Sequence, residues 1–336
     1  MLPTNVGDLA QSYQLRRDTA RIRGDLNRLT NELSSGVSSD ISRAVKGNFG
    51  PLSGIERGLA RSDSFDAIIG EQELVVATYQ NTFFNMRTLG HGIRDALLSF
   101  PASANAVLIK NAGSDALTRL DATLNSLNTQ VGGITLFAGT ATDGSAVADL
   151  ETIMTALETE IALAGAATAV DVETVVNAWF GTGGGFETTG YIGGTAMTQG
   201  VQVSDGEVLP AGLTAETSEI RSFLGALSLA GLLGRDMLLG NLEEQGNLAR
   251  LAGEQLINAE NDLVGLQSSV GSIEAQLERA TVEVAVERDS LELARATLIE
   301  IDPFEAAVEL QNAETQLQTL YSITARLSRL SLANFL

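Results

Sequence analysis

The chain of 336 residues contains no cysteine and a single histidine, His91. Disulfides, thiol catalysis, iron–sulfur clusters and Cys/His zinc sites are therefore excluded. Only two lysines occur, Lys46 and Lys110, followed by Gly47 and Asn111, so no Gly-Lys-Ser/Thr phosphate loop can form. Five prolines and 5% aromatics predict long helices with few corners. Positive charge is scarce: 21 Lys and Arg against 42 Asp and Glu give a net charge of −21. Such a surface argues against binding nucleic acid or anionic membranes. No apolar run in 1–35 is long enough for a secretory core or a membrane span. Arg16, Arg17, Arg21, Arg23 and Arg28 there face Asp8, Asp18, Asp25 and Glu32, which reads as an amphipathic helix and not a cleavable signal.

What the chain does have is periodicity. Its length exceeds the roughly 250–300 residues of a single core, which predicts more than one domain. Prolines at 3, 51, 101, 210 and 303 mark element boundaries. Leu15, Ile22, Leu26, Leu29 and Leu33 form a seam that stops at Ser34-Ser35-Gly36. After Pro51, Val76, Tyr79, Phe83, Met86, Ile93, Leu97 and Phe100 continue the pattern, with Gly90 at a skipped position. A third helix carries Leu117, Leu120, Leu124, Leu127 and Val131, with Gly132-Gly133 as its expected C-cap. The strongest repeat is Leu256, Leu263, Val270, Leu277, Val284, Leu291 and Leu298, one every seven residues. A repeat this long implies supercoiled packing, either inside one bundle or against another chain. Asp302-Pro303 reads as a helix start, and Leu317, Leu320, Leu327 and Leu330 lead to the apolar end Phe335-Leu336.

The middle is different in kind. From 120 to 220 there is no Lys or Arg but 13 Asp or Glu, and 132–234 holds 18 of the 34 glycines. Helices are expected at about 146–164 and 169–180, followed by a hairpin around Val201 and Val203 turning at Asp205-Gly206, and helix again from about 215. The Gly181–Gly185 run lacks the strand–loop–helix setting of a dinucleotide site. No Gly-x-Ser-x-Gly elbow partners His91. Trp179 and Phe180 read as core contacts, and Glu151, Glu158 and Glu160 as a solvated face. No catalytic residue, metal site or cofactor is expected.

Three segments carry a resemblance. Leu26-Asn27-Arg28-Leu29-Thr30-Asn31-Glu32-Leu33-Ser34-Ser35-Gly36, then Gly133-Ile134-Thr135-Leu136-Phe137-Ala138-Gly139-Thr140-Ala141-Thr142-Asp143, and the stretch from Leu317 to Leu336 resemble, in this order, the flagellin superfamily. Within it they are similar to the hook-associated proteins of the hook–filament junction. Val37-Ser38-Ser39-Asp40 departs from the Arg-Ile-Asn pattern of filament flagellin, which stays the alternative. A cytoplasmic coiled-coil scaffold is the alternative from another class.

The resemblance implies a mainly α, flagellin-like bundle of N- and C-terminal arms with a small β hairpin and an inserted small α+β domain. The expected division is 1–50 as assembly helix and linker, 51–140 and 201–301 as the two halves of the bundle, 141–200 as an inserted acidic domain facing water, and 302–336 as a second assembly helix. The implied protein is structural and non-enzymatic, is secreted through the flagellar type III channel, and self-associates in a ring or tube. Its implied partners are the hook-side junction protein and filament flagellin, with an export chaperone possible. The residues expected to carry this are Leu15, Ile22, Leu26, Leu29, Leu33, Leu317, Leu320, Leu327, Leu330 and Phe335 for assembly. Val76, Phe83, Ile93, Leu97, Leu256, Leu263, Val270, Leu277, Val284 and Leu291 are expected for the bundle seam.

Overall fold

The structure is a computed structural model that describes residues 5–100, 105–194, 200–210 and 212–333, with side chains from 10 to 326. Pro3, Pro101 and Phe335 lie outside the described residues, as do the side chains of Leu327 and Leu330. The fold is mainly α. Helices α1 (Asn5–Ser35), α2 (Ile41–Ala44), α3 (Gly50–Leu98) and α4 (Ala106–Leu127) precede a hairpin of β1 (Gln130–Val131) and β2 (Ile134–Thr135). Then come α5 (Leu150–Ala164), α6 (Ala169–Phe180), a π-turn (Phe186–Gly190), α7 (Ser218–Gly234), α8 (Leu242–Ile299) and α9 (Pro303–Ala333). The chain divides into two compact units: 1–63 with 285–336, and 64–284.

Local chemistry sets the helix ends. Asn105 and Asp149 accept from the N–H groups of Leu108 and Thr152, satisfying first-turn donors of α4 and α5. Thr168 and Asp171 form a reciprocal capping box at α6. Gly165 closes α5 at φ 66°. Asp302 accepts from the N–H groups of Phe304 and Glu305, so α9 starts at Pro303 as expected. Gly132 and Gly133 do not cap α4. That helix ends at Asn128, and the two glycines, at φ 61° and 84°, form the two-residue turn that joins β1 to β2. Both positions need positive φ, which a type I′ hairpin turn demands and glycine supplies without a steric cost. Around 201–208 only the single bridge Gln202–Val208 forms.

In the unit 64–284, α3 and α8 run antiparallel. Leu98 lies against Gly253, Arg94 meets Glu260, and the Gln80 side chain donates to the Gln267 carbonyl at 3.1 Å. The seam residues Val76, Phe83, Ile93 and Leu97 of α3 and Leu256, Leu263, Val270, Leu277 and Val284 of α8 are all buried in one core. Gly90 sits in that seam because a Cβ there would stand 2.7 Å from the Phe223 ring. Helix α7 is buried along 220–233 except at Ser222. It is packed antiparallel to α4, so closely that a Cβ on Gly113 would lie 2.1 Å from the Gly234 nitrogen.

The stretch 141–200 has no core of its own. Ile153, Met154, Leu157, Val176, Trp179 and Phe180 join the cluster that holds Phe83 and Leu256. The reason lies in α7: a helix apolar on all sides must be covered on all sides, and α6 covers the side where Phe180 meets Gly225. The stretch is helical, its β content among the described residues being the lone bridge Val147–Tyr191. Its excess of acid is tied down from outside: Arg221 binds Glu187 at 2.7 Å, and Arg235 binds Glu151 and Glu158.

Candidate assembly surface

The unit formed by 1–63 and 285–336 contains the candidate site. Here α1 pairs with α9. Ile22, Leu29 and Ala313 are buried between them, with Leu26, Leu310, Leu317 and Leu320 half-buried around them. The pairing is set by the 3–4 spacing of both seams, which keeps one stripe of each helix facing the other. Leu15 is half-buried. Leu33 is exposed, and Glu32 takes the buried position beside it. Glu32 can be buried because both of its oxygens are bonded: Arg28 donates to one at 2.8 Å and the Ser39 N–H to the other at 2.9 Å.

Polar contacts fix the pair at both ends. Arg23 donates to the Tyr321 hydroxyl at 2.5 Å with its guanidinium 5.8 Å from the ring centre. Arg43 reaches Glu309 at 3.1 Å. At the base, Val37 bridges Glu300, the Ser38 N–H donates to the Ile299 carbonyl, and the Ile301 N–H donates to the Gly36 carbonyl. These bonds join the chain leaving α1 to the chain entering α9. Leu291 is half-buried, with its side chain against Gly58, and Arg61 pairs with Glu287 at 3.0 Å. Large apolar groups remain in water: Tyr13 is 69% exposed, Phe304 80% and Leu293 70%.

The titratable groups Tyr79, Tyr191 and Glu260 have perturbed environments, and none of the three acts on another. His91 is exposed and contacts Arg94 and Asp95. Glu260 is buried with one oxygen on Arg94 and the other without a hydrogen-bond partner. Burial pushes its carboxyl up, with Arg94 and then His91 opposing. Burial also pushes the Tyr79 and Tyr191 hydroxyls up to about 12, so both stay protonated. Among the described residues no group of three His, Asp or Glu is placed to hold a metal, and no helix is long and apolar enough to cross a membrane. Sequence reasoning missed Glu32, Arg23 and Tyr321. The i,i+4 pair Arg28–Glu32 was the available signal for the first.

The chain is thus a mainly α fold with two long antiparallel helices in one unit and a paired N- and C-terminal arm in the other. Residues 255–336 match the family model of the bacterial flagellin C-terminal helical region. The fold is that of a solved protein described as a flagellar hook-associated protein of Vibrio parahaemolyticus, with 13% identity, TM-score 0.54, and coverage of 73% of this chain and 95% of that one. FlgL of Bacillus cereus also aligns, at 11% identity over 72% of this chain and 97% of that one, with a TM-score of 0.31. No curated protein matches in sequence.

Proposed function

We propose that the chain is a non-enzymatic structural subunit of the bacterial flagellum that self-assembles and joins hook to filament. The observation that carries this reading is the half-finished α1–α9 pair. Two helices of 31 residues each bury Ile22, Leu29 and Ala313 between them while Tyr13 and Phe304 stay in water. Isolated helices gain their stability from tertiary burial, so this pair is built to gain more of it from neighbouring copies. The flagellin match covers α9 and much of α8 and so includes one partner of the pair. In this reading Leu15, Ile22, Leu26, Leu29, Leu317, Leu320, Leu327, Leu330 and Phe335 serve assembly. Leaving the cell unfolded through the type III channel suits a chain without cysteine, since no disulfide has to form or break on the way.

Electron microscopy of cells lacking the gene tests the reading. Hooks without filaments, with flagellin shed into the medium, are the expected result. Loss of the filament protein itself would assign the chain to filament flagellin, and intact flagella would overturn both.

A further inference from the structure

In the unit 64–284, 8 basic residues stand against 27 acidic ones, yet two helices carry long uncharged outer stripes. On α3 the stripe is Leu74, Ala77, Asn81, Phe84 and Thr88, all exposed, with Leu74 at 56% and Phe84 at 61%. It repeats at spacings of 3 and 4 and faces away from the buried seam of Val76, Phe83 and Ile93. On α8 the stripe is Ile257, Asn261, Val264, Ser268 and Ala275, with Ile257 at 38% and Val264 at 41%. No charge stands on the first stripe between Glu73 and His91, or on the second between Glu254 and the Glu278–Arg279 pair. Exposed apolar side chains in continuous register, in so acidic a body, mark a surface kept for a partner.

We propose that the partner is a second copy of this chain: the α3 stripe of one copy packs against the α8 stripe of the next. This rests on the self-assembly reading above and specifies which faces meet. Within one chain α3 and α8 are antiparallel, with Arg94 beside Glu260 and with Val76 and Leu277 lining one cleft. Copies standing parallel and level therefore present α3 antiparallel to the neighbour's α8 in the same register. That register sets the large Phe84 within a turn of the small Ser268, Leu74 near Ala275, and Val264 near Thr88, so bulk meets space along the seam. It also sets Glu73 near the neighbour's Arg279, which is 64% exposed while it pairs with Glu207 of its own chain at 3.5 Å. The two faces differ, so the contact is head-to-tail around a ring or tube and leaves a free face for each added copy.

The cysteine-free chain makes the test clean. Phe84→Cys copies and Ser268→Cys copies, each with its own tag, are mixed, assembled, pelleted and oxidised. A disulfide joining the two tags, absent when either variant is assembled alone, is the expected result. Pellets without that mixed disulfide, or with Phe84→Cys copies joined to each other, overturn the proposal and leave self-assembly standing. Failure of the unmodified chain to self-associate at all overturns the self-assembly reading and this one with it. As a second readout, Phe84→Glu should lower the pelleted fraction about tenfold, while its monomer melts within about 2 °C of the unmodified chain. An unchanged pelleted fraction overturns the proposal.

Discussion

The α7 region and the α1–α9 pair bury their apolar residues to very different extents. Every residue of α7 from 220 to 233 except Ser222 is buried, with Phe223, Leu224, Leu227 and Leu229 fully enclosed by α4, α6 and their neighbours. The α1–α9 pair has helices nearly twice as long and buries little more than one stripe of each. Leucine is denser in α7, with 5 in its 17 residues against 5 and 6 in the 31 of α1 and of α9. The helices also differ in how many other elements each can lean on. One region is an enclosed core, and the other leaves large apolar groups such as Tyr13 and Phe304 in water. The difference follows from hydrophobic stabilisation growing with area removed from water, at about 25 cal/mol per Å².

The sharpest way to break the comparison is to damage the finished core. Leu277 is 2% exposed and lines a cleft with Val76, Glu73, Glu274 and Glu278. Leu277→Asp would place a carboxylate among three others without a basic partner lining the cleft. A loss of about 4 kcal/mol or more is expected. Thermal unfolding followed by circular dichroism should show it as a fall of about 10 °C. A melt shifted by only a degree or two would mean that this seam is not core.

Next in size is the α4–α7 crossing. Gly113→Ala would drive its Cβ into the Gly234 backbone, which cannot move aside as a flexible side chain can. An overpacking cost of about 2–3 kcal/mol is expected, read as a lower urea midpoint at unchanged slope. Gly246→Ala, where nothing stands within 4 Å of the added methyl, is the control and should be neutral or slightly stabilising. Equal midpoints for the two variants would mean that the helices do not touch at Gly113.

These sites also show what the sequence makes legible. The α3 and α8 seams were readable because each helix has one buried and one wet face, so the period of 3.6 survives in the letters. The start of α6 carries a capping box of Thr168 and Asp171, a spacing that is present in the letters. By contrast, α7 was visible only as helix resuming near 215, since a helix buried on all sides has no polar face to mark its period. The two glycines at 132–133 read as a helix cap in the letters but form a hairpin turn; both need positive φ, and only the pairing of Val131 with Ile134 decides. For the assembly seam, the expected Leu33 gave way to Glu32, whose burial depends on an N–H seven residues ahead. A heptad count cannot see such a partner.

A smaller effect should come from the unfinished pair. In dilute monomer, trypsin should cut at Arg16, Arg17 and Arg21 well before Arg87 and Arg119, because the first three lie on α1 and the last two bond within the 64–284 unit to Gln267 and the Leu89 carbonyl. Leu29→Ala should speed the early cuts severalfold and leave the main melting transition within about 2 °C. Assembly should reverse the order of protection. Early cuts that survive assembly unchanged would show that α1 gains nothing from neighbouring copies.

The smallest expected effect lies inside the finished core, where Glu260 carries a buried oxygen without a hydrogen-bond partner. Its oxygen without a partner sits near the Gly90 position and the Phe223 ring, and burial raises its carboxyl above the ordinary glutamate range against the pull of Arg94 and His91. In the window between the ordinary value and the raised one, the folded state binds more protons than the unfolded state. The contribution of this group to stability is therefore fully present at low pH and is lost as pH rises through the folded value. Glu260→Gln keeps the shape and removes the titration. The stability of the unmodified chain relative to this variant should accordingly improve on acidification from pH 7 towards 5, measured as paired urea midpoints. The other carboxylates are common to both proteins and cancel in the difference. Parallel curves across that range would mean that Arg94 neutralises the burial completely, and that the core of 64–284 has no pH-sensitive member at this position.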